Sequence, residues 1–440
     1  MADALPAPGG LPQHEARAAV LRELHARPFA PLVVPRRIYL TAFLTTEAEA
    51  KADRAEIARL AVRHGAPAPP AEAKLCRLDL GAWHLRWEQH TEFTTYTWST
   101  GEDASVPFSH PDPIAAGEIG FTPPGPLIGA VHVSIVRADD TAPDRAAMFS
   151  PTSLCAIAAT GGMAHVLTDF QVDVAGFTRI LIEDRGMSPT RAGRLAQRIL
   201  EMETYRTLTL LGLPTARAAG SALTRLEQEL LVITQAIGAS HDAAASEALL
   251  KRLTRVSGDL QAQTAQTAFR FGATRAYQAL VQSRLQLAQE QKLGESTTIS
   301  AFFAGRLAPA VETCNAVETR QQRLSLQAAR AADLLRTGIQ LELEQQNRGL
   351  LQSMDQRAQL QLRLQQTVEG LSVAAISYYV IGLLGYVAKG IKETGLLPHE
   401  ATPELITALA VPVVVLLVWL GMRRLHHSLL AGHDGGHGHG

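Results

Sequence analysis

The sequence predicts an α+β domain followed by long α-helices and a hairpin of two transmembrane helices. Three observations carry that prediction. Short apolar alternations broken by Pro and Gly fill the chain up to Arg185. Proline nearly vanishes after Pro214, where Leu, Ala, Gln, Glu and Arg take over, and two uncharged apolar runs stand near the end of the 440 residues. The expected division is a disordered N-terminal segment over 1–12, a cytoplasmic α+β domain over 13–187 and a long-helix stalk over 188–370. Membrane helices over 371–388 and 405–422, joined by an outer loop over 389–404, precede a basic and His-rich cytoplasmic tail over 423–440. A chain of this length exceeds what one compact core organises.

Taken in order, Gln13 to His25 has helical spacing and must stop by Arg27, because Pro28 disfavours helix in the residue before it. Arg37 to Thr45 reads as a strand, and Thr46 to His64 as a helix stopped by Gly65 and the prolines after it. Lys74 to Leu80 and Trp83 to Trp98 read as strands, the second folded as a hairpin. Further strands are expected at Leu127 to Arg137, Leu154 to Thr160, Met163 to Phe170 and Thr178 to Glu183. After Ser188 the composition is that of helix, with turns expected at Gly238 to Asp242 and Gly294 to Ser296. Leu223, Leu226, Leu230 and Ile233 share one helix face, as do Leu249, Leu253, Val256 and Leu260 on the next. The last long helix carries Leu324, Ala328, Ala331, Leu335 and Ile339, then Leu350, Met354, Leu364 and Val368, at a period near that of a self-associating stalk.

Leu371 to Ala388 and Leu405 to Met422 are each 18 residues without a charge. At the rise of an α-helix that is about 27 Å, close to the thickness of a hydrocarbon core. Pro412 is tolerated in such a span, because neighbouring helices satisfy the carbonyl it frees. Arg357 and Arg363 before the first run, and Arg423 and Arg424 after the second, place both termini inside. Lys389 and Lys392, offset by Glu393, Glu400 and Glu404, lie outside. The N-terminal residues lack the basic and apolar regions of a secretory signal, so the body is expected to stay cytoplasmic.

A formal net charge of -1 argues against a nucleic-acid partner bound through bulk positive charge. Three scattered cysteines, Cys76, Cys155 and Cys314, form neither a disulfide framework nor a thiolate zinc site. Walker A, HExxH, GxSxG and dinucleotide fingerprints are absent, and the chain is read as not an enzyme.

The segments LRELHARPF (Leu21 to Phe29), RWEQHTEFTTYTW (Arg86 to Trp98) and TVEGLSVAAISYYVIGLLGYVAKG (Thr367 to Gly390) resemble the signatures of the DUF3422 family of bacterial membrane-anchored proteins. The resemblance implies a two-span anchor in the bacterial inner membrane and carries no biochemical activity. In architecture the order of elements is similar to the CorA family of magnesium channels. Those channels carry Gly-Met-Asn at the outer end of the first span, where this chain has Gly385, Tyr386 and Val387. A ring of Lys389 ammonium groups at a pore mouth would repel divalent cations.

Four candidate sites follow from the residues. Glu88, His90 and Glu92 alternate along Trp83 to Trp98 and could hold a divalent metal ion or work as an acid-base set. The competing reading is a solvated strand face with cross-strand ion pairs. Glu23, His25 and Arg27 could hold an anion or dock to the first cluster, or could simply complement a helix C-terminus. Ala375, Tyr378, Gly382, Gly385, Tyr386 and Lys389 mark a face of the first span suited to helix packing or to lining a pore. His433, His437 and His439 form a weak metal-binding tail without preorganisation. The expected partners are the lipid bilayer, further copies of the chain and a cytoplasmic protein. The leading function is a CorA-like homo-oligomer that conducts or gates ions. The alternatives are a membrane-tethered scaffold, and a metal sensor or membrane-bound enzyme using Glu88, His90 and Glu92.

Overall fold

The computed structural model describes residues 9, 11–17, 20–21, 29–102, 104–109, 121–139, 144–239, 243–393 and 403–431. The chain divides into two compact units, Met1–Leu335 and Arg336–Gly440.

The first unit is built on a nine-stranded sheet among the described residues, in the order β2-β3-β4-β1-β5-β8-β7-β6-β9. The strands are β1 (Arg36–Leu44), β2 (Leu75–Asp79), β3 (His84–Gln89), β4 (Phe93–Thr100), β5 (Leu127–Arg137), β6 (Cys155–Ala159), β7 (Ala164–Val172), β8 (Thr178–Asp184) and β9 (Gln291–Lys292). All neighbours pair antiparallel except β5 with β8. Eight of the nine fall where the alternation of apolar residues puts them, and the stretch Trp83 to Trp98 is indeed two strands. The two-residue β9 is too short to leave a period in the sequence, and it forms because the chain returns to the edge of β6.

One helix, α1 (Glu47–Arg63), covers one face of the sheet's β2–β4 end. Thr46 caps it: its hydroxyl accepts from the Glu49 amide at 3.3 Å, and Glu49 Oε2 accepts from the Thr46 amide at 2.7 Å. Beneath α1, Tyr39, Trp87, Tyr96 and Trp98 are buried in one aromatic core. A carboxylate sits among them: Trp87 Nε1 donates to Asp53 Oδ2 at 2.8 Å, and the Tyr96 hydroxyl donates to Asp53 Oδ1. Burial raises the Asp53 pKa above the ordinary carboxylate range, against the lowering effect of these two donors.

The opposite face packs on α2 (Pro189–Leu210), the end of α4 (Ala243–Ala288) and α5 (Ile299–Arg306), while α3 (Gly212–Ala239) and α6 (Ala308–Glu393) complete the helical part of the chain. Ser188 caps α2 with Pro189 in its first turn. Ile38, Val133 and Ile180 of the sheet share a core with Leu195 and Ile199 of α2, Val281 and Leu285 of α4, and Phe303 of α5. The helices after Ser188 therefore belong to the same compact unit as the sheet as far as Leu335. The chain also breaks at Leu211, between α2 and α3, where sequence composition is purely helical. Beyond the sheet, α3, α4 and the start of α6 bury Leu223, Leu230, Ile233, Leu253, Val256, Leu324 and Ala328 as a helical core. That is the set the helical spacing predicts.

The second unit contains the rest of α6 and a further helix, α7 (Pro403–Ala431), with Pro412 inside it. Both are long and apolar enough to cross a membrane. They approach at Gly385, where an added Cβ would lie 3.7 Å from the Thr407 hydroxyl.

Replacing Asp53 by Ala leaves Trp87 Nε1 and the Tyr96 hydroxyl without their acceptor, at about 1–3 kcal/mol for each orphaned donor. Asp53→Asn, which keeps an acceptor oxygen, is expected to cost less. Because the folded-state pKa is raised, the native protein binds this proton more tightly than the unfolded chain does. Wild-type stability should therefore fall relative to Asp53→Asn as pH rises from about 4 through the raised pKa. Thermal unfolding of the full-length protein in detergent across pH checks both expectations.

Candidate functional site

The helix α2 packs on β5 near the middle of the sheet, and the β2–β4 end of the same face lies beyond it. Between them is a cavity of about 950 Å³, walled by β1–β4, α2, the end of α4 and the segment Phe29 to Leu32. Small-molecule sites occupy roughly 300–1,000 Å³. Strand alternation chooses the lining. Leu85 and Trp87 of β3 turn into the aromatic core, so His84, Arg86 and Glu88 face the cavity beside Thr95, Thr97 and Ser99 of β4. Gly193 lets α2 close one side, since a Cβ there would overlap the Ala30 carbonyl oxygen.

Arginine dominates the wall: Arg36, Arg77, Arg86, Arg194, Arg198 and Arg284 line it, against the carboxylates Asp79, Glu88 and Glu201. Arg86 donates to Glu88 Oε1 at 2.9 Å and to Gln197 Oε1 at 3.2 Å. Arg284 pairs with Glu201, and His84 Nδ1 lies 3.5 Å from Asp79. Arg198 donates to the Leu287 carbonyl at 2.6 Å, and the Arg194 guanidinium sits 4.5 Å from the Phe29 ring centroid. Desolvation lowers the pKa of Arg36, of Arg77 with help from Arg86, and of Arg198 with help from Arg194 and Arg284. Burial thus disfavours the charge of these three cations, and like neighbours add to the effect at Arg77 and Arg198.

The structure gives Glu88, His90 and Glu92 different partners, although Glu88 and His90 both line the cavity. Strand β3 ends at Gln89, so the alternation that would align them stops there. Glu88 takes Arg86, and His90 stacks on Phe93 with centroids 4.1 Å apart. Glu92 accepts from Arg270 at 3.1 and 2.6 Å and from the Tyr277 hydroxyl at 2.7 Å. Among the described residues no group of three His, Cys, Asp or Glu side chains could hold a metal ion. Glu23, His25, Arg27, His433, His437 and His439 lie outside the described residues.

On α6, Ala375, Tyr378, Gly382, Tyr386 and Lys389 are exposed, while Gly385 is half-buried beside Thr407. Of the cavity's cations, only Arg86 stands in a segment that the sequence singles out. The others come from four separate elements, and the one local sign was Arg194 and Arg198 at i and i+4, a like-charge spacing unfavourable on a helix.

A family model described as DUF3422, protein of unknown function, matches residues 12–429. The chain belongs to the DUF3422 family. The CorA magnesium transporter of Methanocaldococcus jannaschii is a solved structure similar to this DUF3422 protein at 11% identity, over 70% of this chain and 93% of that one. The TM-score is 0.16, too low to argue fold or function from. No curated protein matches the chain.

Glu92→Gln should weaken the tie between the β3–β4 turn and α4 and destabilise the protein by about 3 kcal/mol, since Arg270 would remain largely buried without its countercharge. Chemical denaturation of the full-length protein, with metal analysis alongside, measures this. The expected result is a stability loss at unchanged metal content.

Proposed function

We propose that this DUF3422 protein is an integral membrane protein that conducts or gates the passage of ions as a homo-oligomer, with the sheet-bearing unit as its cytoplasmic regulator. The observation carrying the reading is the exposure of the two apolar stretches: only 11% and 6% of their 18-residue windows are buried within the protein. Core helices of a water-soluble protein of this size would be covered by their own chain. Lipid is the cover that fits uncharged helices whose backbone hydrogen bonds are satisfied internally.

Two further features support oligomeric assembly and coupling. Leu350, Met354, Leu364 and Val368 of α6 are exposed at near-heptad spacing, which suits further copies of the same helix. The same helix supplies Leu324 and Ala328 to the helical core of the first unit and carries the first apolar stretch, so body and span share one backbone. Tyr378 and Tyr386 offer hydroxyls on the span, and Lys389 follows Tyr386 about one turn on. A ring of these ammonium groups favours monovalent ions or anions over magnesium.

Purified protein in liposomes is expected to pass potassium or chloride faster than magnesium, and Lys389→Gln is expected to raise the magnesium share of the flux. If no ion passes across several salts and pH values, conduction is excluded. The membrane-tethered scaffold then stands, and an unrelated two-helix hairpin should replace the native one without loss of function.

A further inference from the structure

Although Arg86 and Arg284 have carboxylate partners, like charges are set beside one another at two places in the cavity wall. Arg77 and Arg86 lie directly opposite each other in the β2–β3 register, and like charges in that position destabilise a strand pair. Arg194 and Arg198 repeat the conflict at i and i+4 on α2, across the same cavity. From β1, Arg36 completes the ring, and its Nε is buried without a hydrogen-bond partner. Six arginines face three carboxylates, which leaves an excess of three positive charges in a partly desolvated space.

A guanidinium presents donors in a planar fork that matches phosphate oxygens, and several forks converging from different elements can grip more than one phosphoryl group. A phosphate monoester carries roughly -1.5 to -2 charges near neutral pH, so two phosphoryl groups balance the excess. The Thr95, Thr97 and Ser99 hydroxyls on the sheet floor add neutral donors and acceptors, and the cavity has room for an organic body beyond the anion.

We propose that this cavity binds a small organic anion bearing two phosphoryl groups, gripped by Arg36, Arg77, Arg86, Arg194 and Arg198. This goes beyond the membrane reading and does not depend on it. The phosphoryl groups could belong to a soluble nucleotide-like molecule or to a lipid headgroup, and the cavity chemistry recognises what the two share.

Calorimetric and thermal-shift titrations of the full-length protein in detergent test it, with inorganic pyrophosphate, ADP, adenosine and short-chain diacylglycerol pyrophosphate as probes. Pyrophosphate and ADP should bind and raise the unfolding midpoint, with affinity falling as salt rises, whereas adenosine should do neither. Arg77→Gln and Arg194→Gln should each weaken ADP binding about tenfold or more, while Arg255→Gln on exposed α4 surface should leave it unchanged. Without ligand, Arg77→Gln should unfold at the same or a higher temperature, because the repulsion from Arg86 is gone. Tighter binding of diacylglycerol pyrophosphate than of ADP would assign the phosphoryl groups to a lipid, and weaker binding to a soluble ligand. Equal ADP affinity in wild type, Arg77→Gln and Arg194→Gln overturns the proposal, as does an equal loss in Arg255→Gln. A lower ligand-free midpoint for Arg77→Gln also overturns it, since the pair would then be serving the fold.

Discussion

Two helical stretches without charge, whose side chains find almost no cover in their own chain, impose the constraint that the second unit must meet. Leu371, Leu383 and Leu409 are each at least 70% exposed. Leaving a large apolar side chain in water rather than burying it costs roughly 1.5–3 kcal/mol, and among the described residues eighteen large apolar or aromatic side chains are exposed within Leu371 to Ala388 and Leu405 to Met422. On the membrane reading proposed above, a bilayer removes that cost for both stretches at once. On that reading Pro412 is acceptable inside α7, and the approach of the two helices at Gly385 and Thr407 uses the small and hydroxyl-bearing residues that suit helix packing in lipid.

The first unit is governed by a different balance. One face of its sheet is covered by α1 at the β2–β4 end and by the Phe149 cluster farther along, and the other packs on α2, α4 and α5, so most strand residues are committed to packing. The β2–β4 end of the helix-covered face is the exception, and there alternation brings polar and cationic side chains into a cavity instead of a core. Asp53 shows how the fold treats a buried carboxylate that it needs for structure, giving it two aromatic donors. Glu92 is handled in the same way, with Arg270 and Tyr277. The cavity arginines have partners as well, among them Glu88 for Arg86 and Glu201 for Arg284, but they outnumber the carboxylates beside them. They are crowded by one another, and local conflict of that kind is where sites for other molecules are found.

Much of this fold was legible because the signals are periodic. Leu127–Arg137 and its neighbours alternate cleanly, Thr46 and Glu49 write a capping box into the sequence, and Leu223 to Ile233 trace one helix face. What was not legible depends on contacts between distant segments. The break before Gly212 exists because three helices meet there, where a Cβ would overlap Thr274 Oγ1. The cluster Glu88, His90 and Glu92 looked convergent only for as long as β3 was imagined to continue past Gln89. The arginine cavity had the weakest signature of all, because its members are up to 248 positions apart and are united only by the sheet order and by the docking of α2 and α4.

The most direct test is the behaviour of the full-length chain, expressed without a tag that could anchor it, when membranes are washed with alkaline carbonate and then with detergent. Retention through carbonate and release by detergent alone is the expected result. Recovery in the aqueous fraction as monodisperse protein would contradict insertion of α6 and α7 in lipid.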